Sequence, residues 1–110
     1  MRLEESVAEL SPDEVHRLLR ERRILLVDVR EPDEFAAGRI AGALLCPLST
    51  LDAACLPTDG SRHVVFQCGS GKRSLSAARA YLEAGAPRAS HLAGGIAAWT
   101  AERLPVICKE

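Results

Sequence analysis

The sequence predicts an α/β domain built on a mostly parallel sheet with helices on both faces. Two observations carry the prediction. Ile24-Leu25-Leu26-Val27 and His63-Val64-Val65-Phe66-Gln67 are short apolar runs with β-branched members, too short for helices and too continuous for strands wet on one side. Segments with apolar residues at helical spacing alternate with them, which is the pattern of strand, crossover helix and parallel strand. A chain of 110 residues fits one domain, 1–110. At that size roughly two-thirds of the unfolded surface is buried, so no disulfide or metal staple is needed.

The elements follow in order. Ser11-Pro12-Asp13-Glu14 is a capping box with Pro at the first helical position, and Val15, Leu18 and Leu19 then recur at helical spacing. The helix is expected over 11–22, closing on the basic run Arg20–Arg23 at the negative end of its dipole. After the strand at 24–27, Glu31-Pro32-Asp33-Glu34-Phe35 opens a short helix that stops near Gly38. Ile40–Leu45 is a weaker strand closed by Pro47, Ser49–Ala54 one helical turn, and Thr58-Asp59-Gly60-Ser61 a turn. The strand at 63–67 is followed by a helix starting at Arg73 or Ser74, with Leu75, Ala78, Tyr81 and Leu82 on its apolar side and Gly85 and Pro87 as its stop. A short strand at Ser90–Leu92 and a last helix after Gly94-Gly95 complete the chain, with Trp99 and Phe35 as core anchors.

Composition narrows the function. Fourteen basic residues, twelve of them Arg, face fifteen acidic ones for a net charge of -1, which argues against a nucleic-acid module. The first ten residues carry three Glu and no signal-like apolar run, and no stretch approaches the roughly 18 apolar residues of a membrane span. The default is therefore a cytoplasmic protein with no membrane contact, in which Cys46, Cys55, Cys68 and Cys108 are thiols. No C-x2-C pair occurs and the histidines are scattered, so no metal site is expected. His16 falls inside a helix and His63 and His91 at strand starts, away from the sheet's carboxyl edge, and none is assigned to chemistry.

Ligands of open α/β sheets bind outside the carboxyl ends of the strands. Cys68-Gly69-Ser70-Gly71-Lys72-Arg73-Ser74 lies there, a thiol followed by two glycines, two cations and a helix start. Glycines at 69 and 71 let successive N–H groups turn inward as an anion-binding nest, and a helix N-terminus with adjacent cations favours the thiolate. The pattern points to a nucleophilic cysteine whose anionic product is held by backbone dipoles. A phosphate-binding G-x4-G-K-[ST] loop is excluded, because Phe66 and Arg73 stand at two of its required positions. A Cys-x5-Arg phosphatase loop is one residue longer than the Cys-x4-Arg spacing here, which suits a single sulfur atom better than a phosphate.

Leu26-Val27-Asp28-Val29-Arg30-Glu31-Pro32-Asp33-Glu34-Phe35, Gly38-Arg39-Ile40-Ala41-Gly42-Ala43, the Cys68–Arg73 loop, Leu92-Ala93-Gly94-Gly95-Ile96-Ala97-Ala98-Trp99 and Leu104-Pro105-Val106 together resemble a single-domain rhodanese from about residue 7 to 106. The family pattern has His where Arg39 stands, in a loop expected to be structural. The resemblance implies a rhodanese-like fold with a five-stranded, mostly parallel sheet, and sulfurtransferase activity. Cys68 would attack the sulfane sulfur of a small anionic donor such as thiosulfate and carry it as a persulfide to cyanide, a thiol or a carrier protein. Backbone N–H groups of Gly69, Ser70, Gly71, Lys72 and Arg73 would hold the persulfide, and Lys72 and Arg73 would attract the donor. Arg30 is included in the binding set, with pairing to Asp28 or Glu31 as its alternative. No cofactor is implied. The competing readings are a persulfide carrier with little turnover and, against the loop length, a Cys-dependent phosphatase or arsenate reductase. Cys46, Cys55 and Cys108 are assigned to packing or surface, with a sulfur-relay role open for Cys108.

Overall fold

The computed structural model describes residues 7–108. The first six residues, part of the segment in which no signal is read, lie outside it. Among the described residues seven strands and four α-helices follow one another as β1 (Val7–Leu10), α1 (Pro12–Arg20), β2 (Ile24–Asp28), α2 (Pro32–Ala37), β3 (Gly38–Arg39), β4 (Leu44–Leu45), β5 (His63–Gln67), α3 (Lys72–Glu83), β6 (Ala89–Leu92), α4 (Gly95–Ala101) and β7 (Ile107–Cys108). Five strands form one sheet in the order β1-β6-β5-β2-β4, every pair parallel, and β3 and β7 make a small antiparallel ladder. The fold is α/β with a five-stranded parallel sheet and helices around it, as the sequence predicts.

Each face of the sheet supports a core. Val27, Val64, Phe66, Ala77, Ala78 and Tyr81 pack together on the α3 face, and Val15, Leu26, Ile40, Val65, Leu92 and Trp99 on the other. Each large side chain so buried contributes about 1.5–3 kcal/mol relative to exposure. Alternation along β5 explains the division, since Val64 and Phe66 point one way and Val65 the other. Trp99 closes its side with the indole N–H donating to the Pro105 carbonyl at 2.9 Å.

Several boundaries differ from expectation for physical reasons. Ser11 caps α1, accepting from Glu14 N–H while the Glu14 carboxylate accepts from Ser11 N–H, but the helix closes at Arg20 before Arg22 turns left-handed at φ 58°. The strand expected over 40–45 is divided. Ile40 is buried in the core without pairing, and only Leu44–Leu45 joins β2. The segment expected as one turn over 49–54 is two 3-10 turns, Leu48–Thr50 and Ala53–Cys55. Phe35 is half-buried rather than a core anchor, with the Arg39 guanidinium 5.3 Å from its ring centroid. That contact, together with pairing to Ile107, gives Arg39 a structural place. Residue patterns do not predict strands β1, β3 and β7. Among the described residues no helix is long and apolar enough to cross a membrane.

Candidate active site

Cys68 stands one residue beyond β5 and is 1% exposed. The chain turns at once into α3, whose N-cap is Gly71 at φ 111°, a left-handed conformation that L side chains seldom adopt. Because the first N–H groups of a helix have no partner within it, this turn supplies donors to the sulfur. Gly71 N–H donates to Cys68 Sγ at 3.0 Å, Ser74 N–H does so at 3.3 Å, and Ser74 Oγ lies 3.6 Å away. Burial would push the Cys68 thiol up, but the Ser74 hydroxyl and the N–H groups of Ser74, Gly71 and Ser70 outweigh it, so the thiol sits below its ordinary value.

A second helix N-terminus fixes the loop from the other side. Ile96 N–H donates to Cys68 O at 2.8 Å and Ala97 N–H to Gly69 O at 3.1 Å, so the first turn of α4 holds two loop carbonyls. Gly95 is required for that approach. A Cβ there would fall against Cys68 O and within 2.7 and 2.8 Å of Gly69 C and O. Thus α3 aims its free donors at the sulfur while α4 orients the backbone that carries it.

The charged residues divide sharply. Arg73 forms a forked pair with Glu34, Nη1 to Oε1 at 2.7 Å and Nη2 to Oε2 at 3.0 Å, tying the first turn of α3 to α2. The Arg73 hydrogen bond, aided by Glu31 N–H, lowers the Glu34 carboxyl to about 2. Lys72 is exposed and lines a cleft of about 320 Å³ with Ser70, Gly71, His91 and Glu9. Arg30 takes the pairing with Asp28 that the sequence offers as its alternative. It is 6% exposed and grips Asp28 through Nε and Nη2 at 2.9–3.2 Å, with Nη2 also donating to Gly38 O at 2.7 Å and Nη1 to Glu34 O at 3.5 Å. All three guanidinium nitrogens are engaged by the protein.

Two residues beside the sulfur have no role in the site read from the sequence, Ser74 and His91. Ser74 is the third residue of α3 and buried, so its N–H is one of the free helix-start donors, a signal the sequence did carry. His91 is the third residue of β6, not its start, and its Nδ1 lies 2.9 Å from Ser74 Oγ. The expectation that this histidine lies far from the site is therefore corrected: the parallel sheet and α3 bring residues 17 positions apart into contact. Cys46 is half-buried and Cys55 and Cys108 are exposed.

A buried thiol at the carboxyl edge of a parallel sheet, seated in a six-residue loop between two helix N-termini, defines a class of cysteine-dependent α/β domain. Residues 11–102 match the rhodanese-like domain family, and the chain belongs to that family. It is 37% identical over 94 residues to a sulfurtransferase of Allochromatium vinosum, covering 86% of this chain and 88% of that protein. It is 36% identical over 98 residues to an uncharacterized protein of Synechocystis sp., covering 89% of this chain but 55%, about half, of that relative's length. The crystal structure of thiosulfate sulfurtransferase from Pseudomonas aeruginosa superposes with a TM-score of 0.84 and 27% identity, over 97% of this chain and 21% of that one. Sulfur transfer is the class of activity that these relationships support.

Proposed function

We propose that this protein is a sulfurtransferase that moves a sulfane sulfur from thiosulfate or a related anionic donor to cyanide or a thiol acceptor through a persulfide on Cys68. The observation that carries the reading is the pair of α3 N–H donors at 3.0 and 3.3 Å from Cys68 Sγ. Such donors stabilise a sulfur anion in a buried position where water cannot. The Cys68 thiolate attacks the outer sulfur of the donor, the donor's S–S bond breaks, and its electron pair leaves with sulfite. The acceptor then attacks the outer persulfide sulfur, the new S–S bond breaks, and Cys68 is again a thiolate. In this reading the loop N–H groups from Gly69 to Arg73 hold the persulfide, continuing the contacts that Gly71 and Ser74 N–H make to the sulfur. Lys72, exposed at the cleft, draws in the anionic donor, whereas Arg73 acts chiefly by holding the loop through Glu34. The acceptor class is a small thiol or a carrier protein in the cytoplasm, where the thiol stays reduced, and the reading includes no nucleic acid or membrane.

Intact mass after thiosulfate treatment tests this directly. The wild type should gain one sulfur atom and Cys68→Ser none, and thiocyanate should form with cyanide only in the wild type. A mass gain without turnover would make the protein a persulfide carrier. Aryl phosphate hydrolysis lost in Cys68→Ser, with no sulfur gained, would overturn the reading in favour of a phosphatase.

A further inference from the structure

The wall of the loop that faces β6 carries a chain of polar atoms that persulfide binding alone does not use. Ser74 Oγ stands 3.6 Å from Cys68 Sγ and 2.9 Å from His91 Nδ1, and His91 Nε2 lies 3.5 Å from Glu9 Oε2. Cys68 and His91 are 1% and 4% exposed, while the Glu9 side chain is 70% exposed. The chain therefore runs from a buried sulfur to solvent, emerging in the cleft that Glu9, His91 and Lys72 line. We propose that Ser74 and His91 form a proton relay for Cys68, with His91 as a positioning residue that receives the thiol proton through Ser74 and passes it to the cleft. The proposal rests on Cys68 being the reactive thiol.

The proton balance is closed. In the neutral state Cys68 S–H donates to Ser74 Oγ, Ser74 O–H donates to the bare Nδ1 of His91, and Nε2–H faces Glu9. On ionisation the S–H bond breaks and that proton joins Ser74 Oγ as the hydroxyl's own proton passes to Nδ1, leaving a thiolate and an imidazolium. The imidazolium then sheds its Nε2 proton to Glu9 or to water in the cleft. What remains is the Nδ1–H tautomer donating to Ser74, whose hydroxyl proton now points at the thiolate. The hydroxyl can otherwise rest on Gly71 O at 3.1 Å, so it has a parking position that breaks the relay. Burial lowers the His91 imidazole below its ordinary value, partly opposed by Glu9, which favours the neutral ring that a proton acceptor needs, and an Nε2–H facing Glu9 leaves Nδ1 bare. Among the described residues, the titratable and charged groups around His91 are Glu9 from β1 and Cys68 through Ser74, with Lys72 from the start of α3 lining the same cleft.

The pH dependence of Cys68 alkylation by iodoacetamide, read at the Cys68 peptide by mass spectrometry, tests the relay. His91→Asn keeps a hydrogen-bonding group at the Nδ1 position but cannot take a proton. The wild-type profile should require two coupled ionisations. The variant should show one, with alkylation at pH 6 slowed about tenfold, the effect of making the thiol harder to ionise by about one pH unit once its proton has no base to pass to. A variant profile that overlays the wild type, or runs parallel to it at every pH, overturns the proposal, because a purely structural histidine does that. A measurement on the wild type guards against a variant that fails to fold. Capping Cys68 with iodoacetamide should change the imidazole nitrogen shifts and titration of His91 in nuclear magnetic resonance spectra, and unchanged shifts overturn the relay. Both readouts follow a proton rather than sulfur, so a relay present without any persulfide or thiocyanate would defeat only the sulfurtransferase reading.

Discussion

Two turns leave the carboxyl edge of the sheet side by side, after β2 and after β5, in strands paired from Ile24↔His63 to Asp28↔Gln67. They dispose of their polar groups in opposite ways. Beyond β2 everything is consumed internally: Asp28 accepts from Arg30 N–H and from its guanidinium, while the Glu31 N–H is taken by the Glu34 carboxylate. Beyond β5 the glycines leave the α3 donors unspent except on sulfur. The difference teaches that location at the ligand-bearing edge does not make a turn reactive; what matters is which donors remain after the fold has taken its own.

Breaking the first turn should be felt as stability. Arg30→Met leaves Asp28, 0% exposed, as an uncompensated buried charge and should lower unfolding free energy by about 3–5 kcal/mol in a denaturant titration. Turnover per folded molecule should change little. A selective rise in the KM for thiosulfate would instead return Arg30 to the substrate and erase the contrast between the turns.

The second turn should respond in activity as well as stability. At Gly95, with φ 60°, a methyl group is both strained and driven into the Cys68 and Gly69 backbone. Gly95→Ala should destabilise by about 1–3 kcal/mol and also depress sulfur transfer, since the loop carbonyls must move. Gly85→Ala is the control. It shares a left-handed φ, 107°, but a Cβ there meets nothing within 4 Å, so the fold should weaken while turnover of folded protein holds. Equal loss of turnover in both would show that the loop is not what Gly95 protects.

How far the sequence could be read follows the same division. The strand at 63–67 and the Ser11 capping box were legible because burial on both sides and a local cap leave marks within a few residues. Strand β1 was not: Val7 and Leu10 are half-buried around exposed Ala8 and Glu9, an edge strand whose existence depends on pairing with β6. The Cys68 loop was readable as a nest because its glycines and cations are contiguous. His91 was not, since its link to Ser74 exists only once α3 and β6 are packed. The commitment of Arg73 to Glu34, 39 residues away, was equally hidden.

Smaller effects test the charges at the rim. Lys72→Met should raise the KM for thiosulfate about threefold at low salt, with kcat held, and the gap should narrow as salt screens the exposed charge. A loss confined to kcat would place Lys72 in the chemistry instead.

The smallest expected effect concerns the ion pair that joins the first turn of α3 to α2. The Arg73–Glu34 pair is more than a third exposed on both sides, so solvent screening limits it to roughly 0.5–1 kcal/mol despite its forked geometry. Its pH dependence is nevertheless distinctive. The folded-state carboxyl lies at about 2, below the ordinary value it recovers on unfolding, so the contribution is complete above that ordinary value and disappears as pH falls through about 2. Glu34→Gln keeps an acceptor for Arg73 and for Glu31 N–H but has no charge to lose. The stability difference between wild type and variant, followed by thermal melting, should therefore be constant near neutrality and shrink toward zero near pH 2. A difference that persists undiminished in acid would mean that Glu34 joins the turns by shape and hydrogen bonding, with charge irrelevant to the link.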